Sequence, residues 1–138
     1  MCGIAGIIHR KKGGDVGTEM TSMLRALKHR GPDSTGFALY GEPAEGEYVM
    51  RYKIAEQEEL SSGFHIHKEL EERKALVDER LRGLGVEILS EEAVTEYAYR
   101  CRIKFDGDMR KMADFIEDVD GVEILSIGEG LELVKDLG

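Results

Sequence analysis

The sequence predicts an α+β chain in two parts, and three observations carry that expectation. Apolar and polar residues alternate over several short runs, as half-buried strands require, for example Tyr48, Met50, Tyr52 and Ile54 between Val49, Arg51 and Lys53. Elsewhere apolar residues recur at helical spacing, as in Met20, Met23, Leu24 and Leu27. Between them Gly41-Glu42-Pro43-Ala44-Glu45-Gly46 is a turn-rich acidic link, which divides the chain into 1–46 and 47–138.

In chain order, Gly3 to Ile8 is apolar and β-branched with small residues between, which predicts a buried strand with an accessible start. His9 to Asp15 is a polar, Gly-rich loop, and a helix is expected from Thr18. Lys28, His29 and Arg30 suit the negative end of that helix, and Gly31-Pro32 stops it, because a residue before proline avoids the helical region. Gly36 to Tyr40 is expected to be a second strand beside the first.

After the strand at Tyr48 to Ile54, Ile66 to Leu84 reads as an amphipathic helix with Ile66, Leu70, Val77, Leu81 and Leu84 inward. Val86 to Leu89 and Tyr97 to Phe105 read as strands. Asp108 is placed to cap a helix that buries Met109, Met112, Ile116 and Val119. Val122 to Ile127 is a further strand, and Leu131, Val134 and Leu137 suggest a closing helix. The order strand, helix, strand, strand, helix, strand is the split βαβ arrangement of ferredoxin-like folds, so 47–138 is expected to be such a module.

Composition narrows the function classes. The 19 basic and 28 acidic residues leave a net charge of −9, which argues against nucleic acid or an anionic membrane as partner. The charged fraction of 34% fits a heat-adapted source. Two cysteines make no disulfide framework, and neither a signal peptide nor an apolar run near the roughly 20 residues of a membrane span is present, so a soluble, cytoplasmic protein is expected.

Cys2 follows the initiator Met1, so trimming of Met1 would put a thiol and a free α-amine on one residue. An α-amine titrates near about 7.7–8.0, which lets it act as base for the thiol, directly or through a water. Cys2-Gly3-Ile4-Ala5-Gly6, then a helix, then His29-Arg30-Gly31-Pro32-Asp33-Ser34-Thr35-Gly36 resembles the start of class II glutamine amidotransferases. The resemblance is specific over residues 2 to 40 and, beyond them, nearest to archaeal glutamate-synthase-like members. It implies an N-terminal-nucleophile sheet that begins in 1–46, with the ferredoxin-like module inserted after it. It also implies that Cys2 attacks the glutamine side-chain amide, releases ammonia and forms a thioester that water resolves. Arg30, Gly31 and Asp33 would support the nucleophile, and a guanidinium beside Cys2 would favour the thiolate. No cofactor and no metal are implied.

Members of that family also carry a Gly-His-x-Arg substrate clamp, an Asn-Gly oxyanion pair and a later Asp for the substrate amine. This sequence has none of these and contains no Asn. Loss of one oxyanion donor alone slows acyl transfer by on the order of 100- to 1,000-fold. The expectation is therefore the N-terminal portion of a longer or split glutaminase, inactive alone, whose partner is a synthase subunit or the rest of the glutaminase domain. Unpaired strand edges would also invite self-association. The alternative is a non-catalytic ligand-binding or regulatory module.

Other signals point to structure. Cys101 lies in register with an apolar strand face, and the His65/His67 pair lacks further ligands at metal spacing. Gly128-Glu129-Gly130 lacks the Lys-Ser/Thr of a phosphate loop and reads as a turn. Arg100, Arg102 and Lys104 form a basic strand face, and Glu69, Glu71 and Glu72 an acidic helix face, both expected to be solvated.

Overall fold

A computed structural model describes residues 3–11, 13–30, 34–42, 44–62 and 65–137, with the backbone alone for Arg30, Ser34, Thr35, Ser62 and 135–137. The elements are α1 (Val16–Ala26), a 3-10 turn (Lys28–Arg30), β1 (Ser34–Tyr40), β2 (Glu47–Lys53), a 3-10 turn (Gln57–Ser62), α2 (Ile66–Gly83), β3 (Glu87–Ala93), β4 (Ala98–Lys104), α3 (Met109–Glu117), β5 (Glu123–Gly128) and β6 (Leu131–Leu137). Two compact units result: Met1–Gly36 with Lys135–Gly138, and Phe37–Val134.

In the larger unit β3, β4, β2 and β5 lie side by side in that order, and every neighbouring pair is antiparallel. Register places Met50 between Cys101 and Ile127, and Tyr52 between Tyr99 and Ile124. The alternation within β2 thus continues across three strands as one apolar face, with Met50, Tyr52, Cys101 and Ile103 buried. Ile66, Leu70, Val77 and Leu81 of α2 and Met112 and Ile116 of α3 close that face.

The expected inward position of Leu84 is corrected: it is 39% exposed. Gly85 takes a positive φ of 77°, which ends α2 and reverses the chain. Val86, whose N–H donates to the Leu81 carbonyl, fills the core in its place. Asp108 caps α3 as expected, its Oδ1 accepting from the Arg110 and Lys111 N–H groups at 3.1 Å. β3 extends beyond the expected Leu89 to Ala93, past a register shift at Ile88/Ser90. Its acidic end is compatible with a strand because Glu92 pairs across from Arg100, and Glu91 meets Lys74.

Two expected elements are overturned. Leu131 to Leu137 is not a helix but β6, which pairs with β1 in a two-stranded ribbon. Seven residues are too short for a helix to hold without packing, whereas a strand here finds a partner. Gly130, at φ 61°, turns the chain, and its carbonyl accepts from the Gly41 N–H at 2.6 Å. A side chain at Gly128 would meet the Leu131 carbonyl at 2.6 Å. Gly3 to Ile8 is not a strand, and Ile4 and Ile8 are 96% and 93% exposed. β1 therefore runs beside β6 and not beside that stretch, which has no partner strand among the described residues.

In the smaller unit α1 starts before the expected Thr18, at a cap made by Asp15. Its Oδ1 accepts from the Thr18 N–H at 3.0 Å and its Oδ2 from the Thr18 hydroxyl at 2.7 Å. Met20, Met23, Leu24 and Leu27 are the half-buried side of α1, and no residue of it is fully buried. Truncation of the larger unit's core, Ile103→Ala, is expected to cost about 2–5 kcal/mol in urea unfolding of the full chain.

Candidate functional site

The residues that the sequence marks for chemistry are Cys2, Arg30, Gly31 and Asp33. Cys2, Gly31 and Asp33 lie outside the described residues, as does the side chain of Arg30, whose backbone ends the 3-10 turn after α1. The described elements around this run are α1, which leads into it, and β1, which leaves it at Ser34. His9 approaches Glu19 of α1 at 3.1 Å, so the loop after the first residues is tied to the helix.

The larger unit holds a polar cluster under α2 that the sequence did not announce. Lys74 Nζ lies 2.6 Å from Asp78 Oδ1 and 2.9 Å from Glu91 Oε1. Glu91 Oε2 accepts from the Cys101 thiol at 3.1 Å and from the Tyr52 hydroxyl at 3.4 Å. The Tyr52 and Tyr99 rings stack at 5.4 Å, and the Lys74 ammonium stands 5.0 Å from the Tyr99 ring centre. Burial alone would raise the Glu91 carboxyl, but hydrogen bonds from Lys74 and Cys101 outweigh it and hold it below its ordinary value. Burial likewise opposes the Lys74 charge, and its hydrogen bonds to Asp78 and Glu91 reverse the sign. Burial, then the bond to Glu91, push the Cys101 thiol up, so the thiolate is suppressed. This is an anchoring network, and Cys101 is the inert interior thiol that its strand register predicts. A groove of about 400 Å³ opens beside it, between His67, Glu71 and Lys74 of α2 and Glu96 and Tyr99.

The opposite face of the sheet carries the basic strand residues: Lys104 is exposed as expected, but Arg100 and Arg102 are not simply solvated. Glu132 of β6 accepts from Arg100 Nε at 2.8 Å and from its terminal nitrogen at 2.6 Å. The same carboxylate accepts from Arg51 Nε at 3.0 Å. Arg102 pairs with Glu47 at 2.6 Å. The Arg100 hydrogen bond, followed by Arg51, keeps Glu132 below its ordinary value, and Glu132 in turn raises Arg100. Sequence spacing could not reveal these pairs, since Arg51 and Glu132 are 81 residues apart. Gly128-Glu129-Gly130 is the turn between β5 and β6. His65 and His67 are exposed, and no group of three or more potential metal ligands occurs among the described residues. No helix among the described residues is long and apolar enough to cross a membrane.

Comparison with known proteins adds a likeness that spans this whole chain. It is 33% identical over 143 aligned positions to "Putative glutamine amidotransferase" of Methanothermobacter thermautotrophicus. The alignment takes in 100% of this chain and 44% of that protein, so the chain spans less than half the length of its relative. No family model matches the chain, and no solved structure matches it. The likeness supports a glutamine amidotransferase family and includes the region beyond residue 46 as well as the opening motifs.

Two outcomes follow from the cluster under α2. In a Cys2→Ala chain, Cys101 is expected to react with a thiol reagent only at the rate of unfolding. The stability lost on Lys74→Met is expected to be constant near neutral pH. Because the folded Glu91 carboxyl is depressed, that difference shrinks as pH falls below the ordinary carboxylate range, as urea titrations at several pH values would show.

Proposed function

We propose that this chain is the N-terminal portion of a class II, N-terminal-nucleophile glutamine amidotransferase. In this reading residues 1–46 open the glutaminase domain and 47–138 carry an inserted ferredoxin-like module, whose sheet is β2 to β5. The whole-chain likeness to a protein named as an amidotransferase carries the reading, joined to the Cys2 and His29–Gly36 motifs. The sheet order β3–β4–β2–β5 with two helices on one face supports the module assignment.

Glutamine is the substrate. With Met1 removed, the Cys2 sulfur gives its proton to the α-amine, directly or through water, and attacks the side-chain amide carbon. The C–N bond breaks, the amine returns the proton to the departing nitrogen, and ammonia leaves a glutamyl thioester. Water then cleaves the thioester to glutamate and restores the thiol. Arg30 favours the thiolate by its charge, and Gly31 and Asp33 are further supports of the nucleophile. The oxyanion donors and the substrate clamp come from polypeptide outside this sequence, either a further stretch of the same protein or a companion subunit.

Mass spectrometry of the mature protein is expected to show Met1 absent. A glutamine-analogue electrophile is expected to label Cys2 once the counterpart of the relative's remaining length is supplied, and Cys2→Ala abolishes labelling. Arg30→Gln is expected to slow it by about tenfold, the effect of one unit in the thiol pKa. Retained Met1, or no label under complementation, would sink the proposal and favour a non-catalytic binding module.

A further inference from the structure

The ribbon of β1 and β6 meets the open face of the four-stranded sheet through a small number of polar contacts. Ser126 of β5 donates to the Leu133 carbonyl and accepts from the Leu133 N–H, both at 3.3 Å. Glu132 adds a charged tie, its side chain 14% exposed between Arg51 and Arg100, and Glu129 in the turn bonds Tyr48 of β2. Arg51 and Arg100 are direct cross-strand partners in β2 and β4. Two like charges so placed destabilise a strand pair, and the carboxylate between them converts that repulsion into attraction. Glu92, opposite Arg100 on β3, belongs to the sheet itself and cannot hold the ribbon. Of the other charges on this face, Arg102 pairs with Glu47 and Lys53 with Glu56 and Glu123, while Lys104 is exposed at the far end of β4. On the ribbon side, Gly130 binds Gly41, so whatever fixes β6 also fixes the end of β1.

We propose that Glu132 is an acid-sensitive latch: between Arg51 and Arg100 it fastens β6, and through β6 the strand β1, to the sheet, and neutralising it frees the ribbon while the sheet stays folded. The flanking glycines at 128 and 130 supply the hinge. The latch does not depend on the amidotransferase reading.

The folded carboxylate binds its proton less readily than an unfolded one, because of Arg100 first and Arg51 next. The latch is therefore complete above the ordinary glutamate range, near about 4.3, and is lost as pH falls below it.

Hydrogen exchange of the full chain tests this without any turnover, so an inactive Cys2 leaves the outcome readable. At neutral pH, Glu132→Gln is expected to speed exchange at residues 37–40 and 131–134 by about tenfold, the scale of a lost charge-assisted hydrogen bond. Amides of β2 and β4 are expected to stay within about twofold, since their mutual pairing is untouched. Arg100→Gln should give the same pattern. Acid should reproduce it in the unaltered chain, after correction for intrinsic rates, and should add nothing further in Glu132→Gln. Unchanged ribbon amides, an equal rise across β2 and β4, or an acid response that persists in Glu132→Gln would each overturn the latch.

Discussion

The register between β2 and its two neighbours is the constraint on which the larger unit depends. Because Met50 and Tyr52 are matched by Cys101 and Tyr99 on one side and by Ile127 and Ile124 on the other, a single sheet face is apolar across three strands. A slip by one residue would turn Arg51, Arg100 and Arg102 towards α2 and α3 and expose the core. The same register dictates the opposite face, where the arginines come into line and create the demand for a carboxylate that Glu132 meets. Apolar packing and the charge network are thus two sides of one pairing.

How much of this the sequence disclosed depends on the range of the interaction concerned. The alternation in Tyr48 to Ile54, the cap at Asp108 and the interior position of Cys101 are local patterns, and each is found in the structure. Leu131, Val134 and Leu137 misled because their spacing fits a helix, while the strand they form depends on β1, far away in the chain. Gly3 to Ile8 misled in the reverse way: β-branched composition favours a strand, but a strand needs a partner and none is found among the described residues. Leu84 and Val86 exchanged places because a positive-φ glycine broke the helical count between them.

The site has a different character. Cys2 directly follows Met1, so the expectation of a thiol beside a free α-amine, once Met1 is trimmed, needs no coordinates. The likeness to a protein named as a putative glutamine amidotransferase covers the whole chain. What adjacency cannot supply is the position of Arg30 relative to that thiol, which is a matter of how a turn is packed. Nor could it disclose the cluster of Lys74, Glu91 and Cys101, whose members come from three elements.

The exposed border of the sheet has a further consequence. Among the described residues β3 pairs on one side only, with β4, and along it stand Glu87 and Glu92, while Glu91 is held by Lys74. Two copies that approached through this border would bring their carboxylates into rows facing each other, in a chain already at −9. Such a border resists templating by its own kind, a common way for edge strands to avoid fibrous growth. Crowding therefore selects against stacking there, and any polypeptide that does add a strand beside β3 would have to bring lysines or arginines to it.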